Sequence, residues 1–545
     1  MISVKVAGGR AIQQAGYTAP SKQSRSNVRT GCMVCKTRKV KCDESRPFCV
    51  RCTSTGRKCE GYIDPTPIQR RPLSPRYGYA AKELSTYRPS LNVSGDIREC
   101  RSFQYFQSRS MQAISSYFET DFWGYLVLQI SRDEPAVHHA LVALSSLYEI
   151  YEFNRGELET INTSAIGPRA RFALQQYTKA VALLTPDVSG NRPSLQSVLI
   201  SCILFVWIEF LHNDLDKALH HLQAGLRILD NVQRQASNTR IDPYVPRLFR
   251  RLHIMGRLHG SPTSDFNSEV YNGHISSGPD VPHTFASIFE ARDSLDANLD
   301  LIFRFLRRMY SADFVASTMK HHPSPDPKSL ECTVQYHLNN LSKWQTEFQR
   351  CSSLFVDSSD KRQSAGVMIL ELQCASVTII LKTLLESSEM VFDQYKSVFE
   401  RMVSLAECLI HNSECSGPQA LSFDFGVILP LFLVTLKCRY LGIRKRAIAL
   451  LKQAPDREGI SHRDSCVAFA EWKVQVEERG RGSLPELEPL PELARIHSER
   501  LGTALVNGKQ VSTVRFKRGP MDRAGENEFE AEINTCLDPK MGEFL

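Results

Sequence analysis

Six cysteines, Cys32, Cys35, Cys42, Cys49, Cys52 and Cys59, are spaced C-x2-C-x6-C-x6-C-x2-C-x6-C. The run is two copies of one C-x2-C-x6-C unit joined by six residues. A C-x2-C turn delivers two thiolates to one metal with little backbone strain, and tetrahedral zinc takes four. Two separate four-cysteine sites would need two more ligands than the segment holds. The count closes when two of the six sulfurs bridge two ions, so a binuclear cluster is expected, with two zinc ions as the cofactor. A redox reading of the C-x2-C pairs would require a βαβ setting, and none surrounds Cys32 or Cys49. A segment this short, with few large apolar side chains, cannot fold on core burial, so metal must supply its folding free energy.

Between Cys35 and Cys42 four of six residues are basic, in the order Lys36-Thr37-Arg38-Lys39-Val40-Lys41. Lysine and arginine are the side chains that read guanine in the DNA major groove. Phosphate contacts, which set register without reading sequence, would come from Lys36, Lys41, Arg51, Arg57 or Lys58. For Arg57 and Lys58 a solvated surface charge is the competing reading.

This arrangement resembles the fungal binuclear zinc-cluster transcription factors. The resemblance covers all six cysteines, the basic stretch Lys36 to Lys41, and Arg46-Pro47 before the fourth cysteine. It implies that Cys32 and Cys49 bridge, that Cys35 and Cys42 complete one metal site, and that Cys52 and Cys59 complete the other. It also implies a short helix after the second cysteine that docks in the major groove. Lys39, with Arg38 beside it, then takes the base-contact position for a CGG triplet.

Charge distribution points the same way. Residues 1–62 hold thirteen Lys and Arg against three Asp and Glu, a local +10, which leaves −2 for the remainder of a chain of net +8. Such concentration is the footprint of a polyanion-binding module. Ten of the 16 cysteines lie outside the cluster without close spacing and read as buried apolar side chains in a reducing compartment. MISVKVAGGR has no apolar core of an export signal. The apolar stretches Ser197 to Phe210 and Phe425 to Leu436 are too short to span a bilayer. No membrane partner is expected, and the expected localisation is the nucleus.

Taken in order, residues 1–28 read as a disordered leader whose Lys22, Arg25 and Arg29 can touch phosphates, and residues 29–62 as the metal module. Residues 63–100 read as a linker in which Pro65, Pro67, Pro72 and Pro75 forbid a continuous helix. No sustained heptad follows, so a homodimer stays open and the spacing of triplets is not specified.

From residue 101 to 518 the periodicity is helical. Helices are expected at 133–151, 168–184, 193–211, 215–229, 285–310, 331–357, 365–387, 391–412 and 427–452, and more weakly at 464–477 and 489–503. Only Val511 to Phe516 alternates like a strand. The fold class is therefore a small N-terminal binuclear zinc-cluster module plus a large all-α domain, joined by a proline-rich linker. The large region also resembles the fungal-specific regulatory domain. The carrying segments are Phe103 to Phe106, Phe122-Trp123-Gly124, Glu134-Pro135-Ala136-Val137 through Leu144, and Ala218 through Gly225. The resemblance implies a domain that regulates the DNA-binding module, in some members by binding a metabolite, though nothing here names an effector.

No phosphate loop, dinucleotide fingerprint, zinc-protease motif or nucleophile elbow occurs in the helical region. The adjacent pairs His138-His139 and His220-His221 point about 100° apart on a helix and cannot share a metal. Phe103, Tyr105, Phe106, Phe122 and Trp123 could line an effector pocket, but core packing is the commoner use. Residues 519–545 carry seven acids interleaved with Phe529, Ile533, Leu537 and Phe544, the composition of activation segments and equally of solvated tails. The expectation is a non-enzymatic transcription factor that binds double-stranded DNA, engages transcription machinery or co-regulators, and controls one metabolic or secondary-metabolite gene set. The alternatives are a global regulator of nutrient or stress genes, a zinc module that binds protein, and an enzyme using the module for targeting.

Overall fold

The computed structural model describes residues 31–60, 96–115, 117–118, 120–153, 167–185, 193–234, 240–258, 281–318, 327–355, 361–411, 421–422, 424–506, 509–520 and 528–533. The expected leader, and nearly all of the proline-rich linker, lie outside these residues. The chain divides into two compact units, Met1–Ser90 and Leu91–Leu545.

The first unit contains two single-turn helices, α1 (Met33–Thr37) and α2 (Val50–Thr53). Its buried apolar atoms are the cysteines themselves, flanked by half-buried Val34 and Val40. That is too little apolar surface to hold thirty residues, as the composition implies.

The second unit begins with α3 (Ile97–Tyr105), a π turn (Phe106–Ser110), α4 (Met111–Ile114), a second π turn (Phe122–Leu126) and α5 (Val127–Asp133). Six longer helices follow: α6 (Pro135–Phe153), α7 (Pro168–Leu184), α8 (Leu195–Leu211), α9 (Leu215–Arg234), α10 (Tyr244–Leu258) and α11 (Ile288–Thr318). Proline opens α6 and α7 because its missing N–H costs nothing in the first turn. The hydroxyl of Ser194 caps α8 by accepting from the Ser197 N–H. Next come α12 (Pro327–Phe355), α13 (Lys361–Thr383), a 3₁₀ turn (Glu389–Tyr395) and α14 (Lys396–His411). The last helices are α15 (Ile428–Lys437), α16 (Leu441–Leu451) and α17 (Arg463–Glu478). Within α13, Arg362–Thr383 is long and apolar enough to cross a bilayer, but its Ile369, Leu370, Leu372, Cys374, Val377, Ile379 and Leu381 are buried among other helices.

Two apolar cores form. One gathers side chains from residues 103–255 around the predominantly apolar α8, with Leu421 and Ile460 added from later in the chain. The other gathers α11 to α17 around Trp344, Phe399 and Phe469. Phe103, Phe106, Phe122 and Trp123 belong to the first core, which settles them as packing residues. Trp123 does border a cavity, with Ile114, Trp207, Leu248, Arg251, Leu252 and Asp424, but at about 10 Å³ it has room for one water. Gly225 lets α9 close on α10, since a Cβ there would collide with the buried Phe249 ring.

Where the two cores meet, α10 and α11 exchange a ladder of ion pairs: Arg247 with Asp293 at 2.7 Å, Arg251 with Asp296 at 2.5 Å, and Arg257 with Asp300 at 3.4 Å. Asp424 adds pairs to Arg251 at 3.2 Å and Arg292 at 2.5 Å. A second buried network ties the C-terminal half together. Glu477 faces Arg439 at 3.2 Å and Arg444 at 2.7 Å, while Glu389 faces Lys437 at 2.8 Å and Arg439 at 2.9 Å. This network explains why the single helix expected over 427–452 is two. At Cys438 the backbone turns extended, which sends the Arg439 guanidinium inward to Leu436 O and both glutamates.

Burial by itself would raise the Glu389 carboxyl, and the facing Lys437 and Arg439 outweigh it, holding it at about 2. A carboxyl depressed in the folded state stabilises above its unfolded value near 4.5, and that contribution disappears as pH falls through the folded value. Acid unfolding followed by circular dichroism is therefore expected to set in between pH 4.5 and 2, and Glu389→Gln is expected to be less stable than wild type at neutral pH, with the difference closing as pH falls through this range. A transition of unchanged pH dependence in that variant would exclude Glu389 as the titrating group.

The C-terminal end departs from the helical expectation. The residues expected as a weak helix, 489–503, instead enter β4 (Ile496–Val506), which pairs antiparallel with β5 (Lys509–Arg518), which pairs with β6 (Glu528–Ile533). Val506 stands opposite Lys509, and the two intervening residues in sequence are Asn507-Gly508, the dipeptide of tight hairpins. The strand expected at 511–516 is thus the centre of a sheet. Part of the acidic tail is structural: Glu530 lies opposite Arg515, Glu528 opposite Lys517, and Phe529 stacks on Phe516 at 5.6 Å. A second, small three-stranded sheet, β1 (Leu421–Ser422), β2 (Arg457–Glu458) and β3 (Ser461–His462), pins α15. There Glu458 accepts from the N–H groups of Gly426, Val427 and Ile428 at 3.1, 3.0 and 2.8 Å.

Candidate metal centre and nucleic-acid interface

The two halves of the first unit repeat one local design at an offset of 17 residues. Cys32 caps α1 and Cys49 stands at the same place before α2. The N–H of Cys32 points at Cys42 Sγ at 3.4 Å, and the N–H of Cys49 at Cys59 Sγ at 3.5 Å. The chain leaving each helix is pinned alike, Val40 N–H to Cys35 O at 3.1 Å and Arg57 N–H to Cys52 O at 3.0 Å.

This geometry brings all six predicted sulfurs together. Cys32, Cys35, Cys42 and Cys49 form one group whose ligand atoms all lie within 4.8 Å, and Cys32, Cys49, Cys52 and Cys59 form another. Cys32 and Cys49 belong to both, with their sulfurs 3.5 Å apart. Among the described residues these are the groups arranged to hold a metal ion. The donor set is thiolate throughout, which suits zinc. Burial pushes the thiols of Cys32, Cys35 and Cys49 up, Cys35 to about 12, so metal must displace protons to bind.

Asp43 was not singled out from the sequence, yet it joins the two halves. Its carboxylate accepts from the N–H groups of Val50 at 2.9 Å and Arg51 at 2.8 Å and from the Ser45 hydroxyl, which caps α2 and holds the carboxyl well below its usual range. The available signal was its place directly after the third cysteine.

Lys36, Arg38, Lys39, Lys41 and Arg51 are all exposed, as are Arg57 and Lys58. Lys39 has a left-handed backbone, φ 54°, and the residue 17 positions on is Gly56, φ 66°. The fold needs a positive φ at that corner. One half meets the need with glycine, while the other places a lysine there at a cost of about 1–2 kcal/mol.

Of the paired histidines of the second unit, His138, His139 and His221 contact neighbouring side chains and His220 is exposed. His138 stacks on Phe103, His139 Nδ1 meets Gln176 Oε1 at 2.6 Å, and His221 Nε2 meets the Tyr177 hydroxyl at 2.8 Å.

Comparison with known proteins agrees with these features. Residues 30–68 match the fungal Zn(2)-Cys(6) binuclear cluster domain, and residues 101–438 match the fungal specific transcription factor domain. The first of these domains binds two zinc ions, and the six clustered cysteines fit that complement. The chain is 26% identical over 426 residues to the aspercryptin biosynthesis cluster-specific transcription regulator of Emericella nidulans, covering 73% of this chain and 66% of that protein. It is 26% identical over 228 residues to the transcription regulator lscL of Purpureocillium lilacinum, covering 40% of this chain and 53% of that one. With the Schizosaccharomyces pombe transcriptional regulatory protein moc3 it shares 51% identity over 41 residues, 8% of each chain. The alignments thus span less than two thirds of the first two relatives' own lengths. No solved structure matches the chain. A thiolate cluster for two zinc ions, followed by a helical domain matched over residues 101–438, places the chain in the fungal Zn(2)-Cys(6) family of transcription regulators.

Proposed function

We propose that the protein is a nuclear, sequence-specific DNA-binding regulator that reads a CGG-like triplet through Lys39 and Arg38. Lys36, Lys41 and Arg51 contact phosphates in this reading, and Cys32 and Cys49 bridge the two zinc ions. The observation that carries it is the left-handed Lys39, exposed on a turn pinned to the buried cysteines by Val40 N–H to Cys35 O. Backbone strain of this kind persists where surrounding structure enforces it and clusters at functional positions. A fixed turn sets where the lysine side chain leaves the backbone relative to the helix, and its exposed stem can then reach a base edge.

The layout that goes with this reading is a leader at 1–28, the zinc module at 29–62, a linker at 63–100 and the regulatory domain from 101. Control of a single biosynthetic gene set is supported by the Emericella nidulans relative, a regulator specific to one biosynthesis cluster. Double-stranded DNA and the transcription machinery are the partners.

The test is chromatin occupancy of the tagged full-length protein in its native host, with Cys32→Ala as control. Cysteine-dependent peaks over one contiguous group of promoters are expected, with CGG triplets beneath them. Peaks spread over unrelated promoters would replace the pathway reading with a global one, and no cysteine-dependent peaks would refute DNA binding.

A further inference from the structure

Two neighbouring segments of the second unit break the rule that surface leucine and methionine are sparse and scattered. The first is the turn after α13, where Leu385 is 43% and Met390 40% exposed. The second is the loop between α17 and β4, where Leu484, Leu487 and Leu493 are 37%, 84% and 67% exposed. The two are tied together. The Ser388 hydroxyl donates to Glu492, and Arg495 Nη1 donates to Glu389 O at 2.7 Å.

The loop is held in shape by its own chain. Arg481 Nη1 donates to Pro485 O and Glu488 O, both at 2.9 Å, and Arg495 Nε donates to Leu490 O at 2.9 Å while Leu490 is fully buried. A buried leucine and two arginine clamps thus order a segment whose remaining leucines face water. Ordering costs that a binding partner would otherwise have to offset are already met.

Within these two segments the charged side chains are all acidic, with Lys382 and Lys445 at the margins. Glu386, Glu486 and Glu488 are exposed and Glu492 is half-buried, and residues 383–390 and 482–494 contain no lysine or arginine. Glu486 has a 3.1 Å contact to Lys445, but both side chains are about two thirds exposed and the pair is screened. DNA is ruled out as the occupant, because phosphates would meet carboxylates. The same surface on a second copy is ruled out for the same reason.

We propose that the segments 385–390 and 484–493 form a docking surface for a co-regulator protein that presents an apolar face rimmed by lysine or arginine. Acids interleaved with apolar side chains, the composition that in the tail allowed an activation segment as one reading, are exposed here, whereas Glu528, Phe529 and Glu530 of the tail pair with β5. This inference rests on the DNA-binding reading, and the experiment separates the two.

The full-length protein is expressed in its native host as wild type, as Met390→Ser/Leu487→Ser/Leu493→Ser, as Leu487→Ala alone, and as Glu486→Gln/Glu488→Gln. Promoter occupancy and the transcripts beneath the peaks are both measured. The triple variant is expected to keep wild-type occupancy while its transcripts move about tenfold toward the level of a strain lacking the protein. Leu487→Ala, which alters one side chain that is 84% exposed, and the glutamine pair move in the same direction by smaller factors. Transcripts at wild-type level in all three variants, with occupancy intact, overturn the docking surface. Absence of cysteine-dependent occupancy in the wild type overturns the DNA-binding reading itself.

Discussion

Cys49→Ala is expected to remove both zinc ions from the module, whereas Cys59→Ala removes one. The reason is geometric: Cys49 lies in both groups of four sulfurs and Cys59 in one. Loss of a shared ligand leaves two three-coordinate sites, each short of the closed tetrahedron that structural zinc prefers. Structural zinc contributes about 10–16 kcal/mol in small domains, and the five buried cysteines with two half-buried valines offer nothing comparable. The Cys49→Ala module should therefore lose its amide dispersion and all specific DNA binding, while Cys59→Ala keeps a partly folded first half around Cys32, Cys35, Cys42 and Cys49. Metal analysis of the purified full-length variants, two ions against one against none, is the measurement. One tightly held zinc in Cys49→Ala would show that this cysteine does not bridge. The raised thiols sharpen the experiment, because each zinc bound to the wild type should release protons, and uptake should weaken as the pH is lowered.

Lys39→Gly is expected to separate folding from recognition. Glycine adopts φ 54° without the penalty a side chain carries, as Gly56 does in the second half, so the zinc-loaded module should be as stable as wild type or more so by about 1 kcal/mol. Discrimination for a CGG site should fall by about 1–3 kcal/mol, the worth of one good base contact, or roughly five- to 150-fold in relative affinity. Lys36→Ala should instead weaken binding to all sequences alike and reduce its salt dependence. Binding titrations on CGG and scrambled duplexes at two salt concentrations distinguish the patterns. A Lys39→Gly protein that still prefers CGG would remove Lys39 from the readout and leave its backbone conformation without a functional account.

The contrast between the two corners also shows how an internal repeat becomes asymmetric. Position for position, Lys36, Thr37, Arg38 and Lys39 in the first half correspond to Thr53, Ser54, Thr55 and Gly56 in the second. Both halves use the same backbone bonds to present sulfur, but across these four positions only the first carries positive charge. The metal centre constrains the cysteines and the turn, and leaves the intervening side chains free to differ.

Much of this was legible in the chain without coordinates. Metal ligation depends on short covalent spacings, so C-x2-C-x6-C repeated at 17 residues is enough to specify two thiolate sets, and the concentration of basic residues beside it is a matter of counting. The long helices were legible too, because their apolar period and opening prolines are local: α6, α7 and α8 begin within two residues of the expected starts. What the pattern could not convey was set by partners distant in sequence. The break at Cys438 depends on Glu389 and Glu477, some forty to fifty residues away, which draw Arg439 inward. The sheet of β4, β5 and β6 depends on pairing Arg515 and Lys517 with acids that by composition belonged to a tail. The leucines of the 484–493 loop read in sequence as further apolar residues of a helical domain, and only the packing of Leu490, with the two arginine clamps, turned Leu487 outward. Local chemistry is written in neighbouring residues, whereas exposure is decided by which surfaces the rest of the chain leaves uncovered.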